Sequence, residues 1–343
     1  MHAESLTTAQ LAGQRLMVGF SGTELSGDLK FLIDTVKVGG VILFARNIQS
    51  PAQVGNLCRS IQNYALSCSQ PPLFIAVDQE GGVVARLKAP FTEFPGNPAI
   101  QTENDAARFG DITGHELADA GINMNMAPVM DVAPEGSKSI MAERVFGHDP
   151  EHVAQMGKTV IRHLQKNGIM AVAKHFPGIG KTSLDSHLDL PTLASELSEI
   201  EAFDLIPFKT AIANQAAGIM LSHIRYTGID PDWPASLSFE ITAALLRRKL
   251  GFKGLVLTDD LDMGAIAKHY DIYTIIQRVL QSTVDMALIC HPGPAIEAAR
   301  DAIHGGIKTN RHLYQQTINS AKRIAALKNH YIIQKPRGGH ETR

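Results

Sequence analysis

Short, nearly continuous apolar runs punctuate the chain, and polar stretches with helical spacing lie between them. The runs are Leu16–Phe20, Gly40–Phe44, Leu73–Val77, Ile122–Met126, Ile169–Ala173, Gly218–Leu221, Leu255–Leu257 and Val284–Ile289. Runs without polar alternation are expected of parallel strands covered on both faces. The intervening stretches carry helix signals. Ser50-Pro51 opens the stretch toward Tyr64, Asp149-Pro150 opens the one to Lys166, and Asn167-Gly168 closes it. Ser238 precedes Phe239–Leu250, which ends at Gly251. Strands alternating with helices predict right-handed βαβ units. Eight units without a break in composition predict an α/β fold, a closed (β/α)8 TIM barrel forming a single domain over 1–343. An open, doubly wound sheet is the alternative. From 327 to 343 the chain turns polar and carries Gly and Pro, so a frayed polar C-terminal tail is expected there.

Polar and titratable residues cluster just after the apolar runs. Asp78-Gln79-Glu80-Gly81-Gly82 follows the third, Pro128–Asp131 the fourth, and Lys174-His175 the fifth. Ser222-His223 follows the sixth, Thr258-Asp259-Asp260 the seventh, and Cys290-His291 the eighth. Carboxyl ends of barrel strands converge on one mouth, so this register predicts an active site there. The segment Lys174–Pro191 holds no helical period through Leu184, as functional loops often do. Within it Asp185 and His187 are two apart, a spacing that lets a carboxylate orient an imidazole for acid/base work. On spacing alone a solvated Asp and His fit equally well.

Bulk properties narrow the partners. Lys and Arg total 32 and Asp and Glu 34, a formal charge of −2, and basic residues are scattered apart from Arg247–Lys249. Neither nucleic acid nor an anionic membrane is therefore an expected partner. Cys58, Cys68 and Cys290 form no metal-ligand spacing, and their odd number suits a reducing cytosol. With no leader-like start and no apolar run of about 18 residues, a cytoplasmic location is expected.

Five segments together resemble glycoside hydrolase family 3, in particular its bacterial β-N-acetylhexosaminidases. They are VDQEGGVVARL (Val77–Leu87), GINMNMAPVMDV (Gly121–Val132), ERVFGHDP (Glu143–Pro150), KHFPGIGKTSLDSHLDLP (Lys174–Pro191) and GFKGLVLTDDLDMGAI (Gly251–Ile266). The resemblance runs from about Gly13 to Leu327. It implies Asp259 as the nucleophile, His187 as the general acid/base and Asp185 as its orienting partner. It also implies Asp78, Arg86, Arg144, Lys174 and His175 as contacts to the sugar. The implied substrate is a terminal, non-reducing β-linked N-acetylglucosamine on a cell-wall muropeptide, split with retention through a glycosyl-aspartate. No cofactor or metal is expected, and a monomer or weak dimer is. Most branches of that family take their acid/base from a second domain, for which no segment of this chain is left over.

The chain departs from the family where Ile179 and Lys181 stand for the usual His and Asp of the loop, and where Val145 follows Arg144 in place of Ser or Thr. Bland roles fit several neighbours: Asp260 as a helix cap, Asp262 on a first helical turn, Glu80 as a partner of a mouth arginine, His223 or His291 as a backbone-paired histidine. Other activities also use these residue types. Lys174 could serve as a Schiff-base amine, and His175, His187, Asp259 and His223 could gather a metal. A related β-glycosidase, a phosphate-using N-acetylglucosaminide phosphorylase and a non-catalytic sugar-binding barrel complete the alternatives.

Overall fold

The computed structural model describes residues 3–186 and 188–334. All eight apolar runs form strands: β1 Leu16–Val18, β2 Gly40–Leu43, β3 Phe74–Val77, β4 Met124–Asn125, β5 Met170–Phe176, β6 Gly218–Leu221, β7 Leu255–Asp260 and β8 Met286–Ile289. They pair in chain order, all parallel, and β8 returns to β1 through Leu16↔Ala287 and Val18↔Ile289. The result is a closed (β/α)8 barrel, as expected, and the open sheet is excluded.

Strand parity separates two cores. Outward positions such as Val18, Val41, Ile75, Ala171 and Val256 pack under the helices. Inward positions such as Met17, Ile42, Phe74, Met170, Leu257 and Leu288 fill the barrel. Six of the chain's 11 methionines lie in that inner cluster. Unbranched thioethers adapt to an irregular interior that fixed rotamers would leave partly void.

The helix signals hold. Ser50 Oγ accepts from the N–H of Gln53 and opens Pro51–Ser67, and Asp149 accepts from Glu151 and His152 and opens Pro150–Lys166. Gly168 and Gly251 follow their helices at φ of 76° and 72°, where a side chain would be strained. After Ser238 the helix Glu240–Lys249 is wide, with i→i+5 bonds. Among the described residues no helix is long and apolar enough to cross a membrane.

The first part of the expected tail, 327–333, is helical rather than frayed. Helix Arg311–Lys328 continues into a wide turn, Asn329–Ile333, and Lys328 and Tyr331 are buried at the barrel floor. The residues from 335 onward lie outside the described part. Polar letters misled here because Lys328 points inward: its Nζ donates to Gln14 Oε1 at 2.6 Å and lies 5.0 Å from the Phe74 ring centroid. Burial holds this amine well below the usual lysine range. The unfolded chain therefore binds a proton that the folded chain does not, and stability rises with pH from the folded pKa toward about 10.4. Replacing Lys328 with Met should remove this contribution and raise the melting temperature at pH 7. Thermal unfolding from pH 7 to 10.5 checks this: the gain should shrink as pH rises.

Candidate active site

The inward parity of the barrel does not stop at its apolar layers. On β3 it runs Phe74, Ala76 and then Asp78; on β5 Met170, Val172 and Lys174; on β7 Leu255, Leu257 and Asp259. The positions that build the core thus deliver three charged groups to the mouth. Irregular register after Ala173 and after Leu257 brings His175 and Asp260 to the same cavity, as a bulge does when it re-aims a side chain. The cavity has a volume of about 250 Å³, an apolar floor of Ile42, Met220 and Leu288, and polar walls.

The Asp-Gln-Glu-Gly-Gly segment makes the first wall. Gln79 Oε1 accepts from the backbone N–H of Arg86 and Leu87, which folds Gln79–Gly81 against Val84–Ala85. Gly81 and Gly82 turn the chain at φ of 87° and 58°, and a Cβ on Gly82 would meet Pro95 O at 2.9 Å. The hairpin returns Arg86 to within 3.6 Å of Asp78. Lys174, 2% exposed, lies between Asp78 at 2.7 Å and Glu80 at 2.6 Å. Arg144 grips Glu80 with two bonds of 3.0 and 2.8 Å. Glu80 is therefore the partner of a mouth arginine, as its bland role had it.

Burial alone would raise the carboxyls of Asp78 and Glu80. Lys174 with Arg86 for the first, and Lys174 with Arg144 for the second, outweigh it and hold both below the usual range. Burial pushes Lys174 down, but its two carboxylates prevail and raise it. An amine held protonated is no nucleophile, which counts against the Schiff-base alternative.

Asp259 is held in the same way. Burial pushes its carboxyl up; His175, His223, the N–H of Asp260 (2.8 Å) and Lys174 together bring it below the ordinary aspartate value. His175 is oriented by Asp131, whose Oδ2 accepts from Nδ1 at 2.8 Å, leaving Nε2 for the cavity. Asp131, fully buried, also accepts from the N–H of Ile179 at 2.8 Å. Sequence reading noted Asp131 at its strand end but gave it no role; its in-register position beside a histidine was the available signal. Phe44 and Arg46 after β2, and Met263 after β7, also line the cavity and were missed.

His223 is structural. Ser236 Oγ lies 2.8 Å from its Nδ1, its Nε2 donates to the carbonyl of Asp260 at 2.9 Å, and burial keeps its pKa low. Asp260 does not cap a helix: its Oδ1 accepts from the N–H of Asp262 and of Cys290, tying β7 to β8. Burial and the charges of Asp262 and Asp259 raise Asp260 to about 6. Asp262 precedes the helix Gly264–Ala267 rather than lying on its first turn, and its Oδ2 accepts from the N–H of His291 at 2.9 Å.

Among the described residues one grouping, Asp260, Asp262 and His291, has metal-like spacing, with ligand atoms within 4.8 Å of one another. His175, Asp259 and His223 form none.

His187 lies outside the described residues. Its neighbours are held on both sides by the segment that follows β7. Ala265 N–H donates to Ser186 O at 3.0 Å, Lys268 Nζ donates to Leu188 O at 2.7 Å, and His269 Nε2 lies 2.6 Å from Asp189 Oδ1. Asp185 is half-buried, and its carbonyl accepts from the N–H of Leu188. The two departures in this loop have local partners. Ile179 is buried, and Lys181 Nζ lies 2.6 Å from Asp204 and over the Phe203 ring.

Three comparisons with known proteins fit this geometry. The model of the glycosyl hydrolase family 3 N-terminal domain matches residues 8–327. A β-hexosaminidase of Alkalilimnicola ehrlichii is 36% identical, with 82% of this chain and 82% of that protein covered. β-Hexosaminidase A of Pseudoalteromonas piscicida is 34% identical over 94% of this chain, which spans 61% of that protein's length. Among solved structures, the family 3 β-N-acetylglucosaminidase of a Paenibacillus strain superposes with a TM-score of 0.92 at 37% identity, covering 95% of this chain and 62% of that one. NagZ of Neisseria gonorrhoeae in complex with N-trifluoroacetyl-D-glucosamine gives 0.77 at 30% identity, covering 93% and 95%. The chain belongs to glycosyl hydrolase family 3.

Proposed function

We propose that this glycoside hydrolase is a retaining exo-β-N-acetylhexosaminidase that removes terminal, non-reducing β-linked N-acetylglucosamine. The observation that carries the reading is a half-buried carboxylate, Asp259, held below the ordinary aspartate range in a cavity of about 250 Å³. That is below the roughly 300–1,000 Å³ of drug-sized sites and suits a single sugar ring. The relative solved with N-trifluoroacetyl-D-glucosamine supports the identity of the sugar.

Asp259 attacks the anomeric carbon as the glycosidic bond breaks, and His187, oriented by Asp185, gives its proton to the leaving oxygen. The neutral imidazole then takes a proton from water, which attacks the glycosyl ester and frees Asp259. Asp78, Arg86, Arg144, Lys174 and His175 hold the sugar. We infer a cytoplasmic enzyme acting on muropeptide fragments; the three unpaired cysteines, Cys58, Cys68 and Cys290, support a reducing setting.

The test of the acid/base is a leaving-group series of aryl β-N-acetylglucosaminides. His187→Ala is expected to slow poor leaving groups by roughly 10²–10⁴ and activated ones far less. Equal slowing across the series would overturn the assignment of His187.

A further inference from the structure

Among the described residues four lysine and arginine side chains line the cavity, and three of them are neutralised. Arg86, Lys174 and Arg144 are paired with Asp78 or Glu80. The fourth, Arg46, forms no ion pair among the described residues. It is nonetheless mounted rigidly: Nε donates to Phe20 O at 3.0 Å and Nη2 to Cys290 O at 2.8 Å. Its guanidinium lies 4.6 Å from the centroid of the Phe44 ring, which Arg86 approaches from 5.6 Å. These contacts use only part of its donor fork.

Arg46 is exposed, whereas Lys174 is buried and Asp78 and Asp259 are half-buried along the cavity, and Ile42 of the same strand segment is on its floor. A cavity sized for one sugar ring leaves the aglycone to pass the rim, where Arg46 stands. A fixed, planar cation with no anion of its own and an aromatic face behind it is built for a carboxylate, which it can meet bidentately.

The geometry points to a subsite at the rim, formed by Arg46 on Phe44, that binds a carboxylate carried by the leaving group. This deepens the reading of the protein as a β-N-acetylglucosaminidase and rests on it: the preferred substrate bears an anionic aglycone, as an acidic glycopeptide fragment does.

The test uses two leaving groups of matched shape, 3-carboxy-4-nitrophenyl β-N-acetylglucosaminide and its methyl ester. The ratio of their kcat/KM values is measured for the full chain, for Arg46→Met and for Arg46→Lys. The wild type should favour the carboxylate and Arg46→Met should lower the ratio by roughly tenfold, mostly through KM, with Arg46→Lys between them. Losses common to both substrates, including any from the freed carbonyls of Phe20 and Cys290, cancel in the ratio. If Arg46→Met does not fold, the wild type alone decides: the preference should fall as NaCl is raised from 50 to 500 mM. A ratio indifferent to the substitution, or to salt in the wild type, overturns the subsite. Release of nitrophenol from neither substrate overturns instead the glucosaminidase reading beneath it.

Discussion

Asp259→Asn is expected to lower kcat on an aryl β-N-acetylglucosaminide by roughly 10⁴-fold or more, because the substitution removes the nucleophile while leaving its shape. The carboxylate continues the inward parity of Leu255 and Leu257 on a rigid strand, so little else should move. Its N–H partner, Asp260, lies on the same strand and donates backbone to side chain, a contact that an amide oxygen can still accept. Thermal stability should therefore change far less than activity. A 5-fluoro glycoside inactivator should leave its adduct on the peptide containing Asp259, and mass spectrometry reads the site directly. An adduct on another acid, or full activity in the variant, would refute the nucleophile.

The second large effect belongs to Lys174. Replacing it with Met leaves buried Glu80 and half-buried Asp78 without the amine between them, with Arg86 at 3.6 Å from Asp78 and Arg144 on Glu80 as their remaining cations. Removing one partner of a buried ion pair typically costs about 3–5 kcal/mol, because the other charge stays unpaired. The sign with pH follows from the carboxylates. In the wild type their folded pKa values are depressed, so their contribution is present above about pH 4 and is lost as pH falls through the folded values. Without Lys174 those values rise, and the acid limb of stability should move to higher pH. Denaturant titrations from pH 4 to 8 should show Lys174→Met losing most stability at neutral pH and recovering part of it in acid as the carboxyls protonate. A loss independent of pH would mean that packing, not charge, is what Lys174 supplies.

How much of this was legible in the letters depends on what each residue touches. The eight runs became eight strands because a strand covered on both faces must be apolar at every position, a requirement written locally. The strand ends were harder. Lys174, His175, Asp259 and Asp260 belong to β5 and β7 themselves, yet they read as loop because charge breaks an apolar run. Asp131 went without a role because its partner, His175, lies 44 residues away and only closure of the barrel brings them together. Glu80 was readable only as one of two possibilities, since Arg144 is distant in sequence. The start of the tail, 327–333, was misread because Lys328 is a polar letter in a buried position, which no local pattern announces. The sugar contacts and the acid/base came from the family resemblance, not from spacing.

Barrel closure has a further bearing on synthesis. Strand β1 pairs with β8, and the fully buried Arg15 beside it donates to the carbonyls of Val284 and Asp285 and to Thr317, about 270 to 300 residues later. On a ribosome adding about 5–20 residues per second, the amino-terminal strand waits roughly 15–60 seconds for its last neighbour. During that interval the nascent chain carries an uncovered strand edge and a guanidinium whose carbonyl partners have yet to be made. The stage most exposed to misassembly is thus set by the return of the eighth strand to the first, and a chaperone that shields Leu16–Val18 would act within that window.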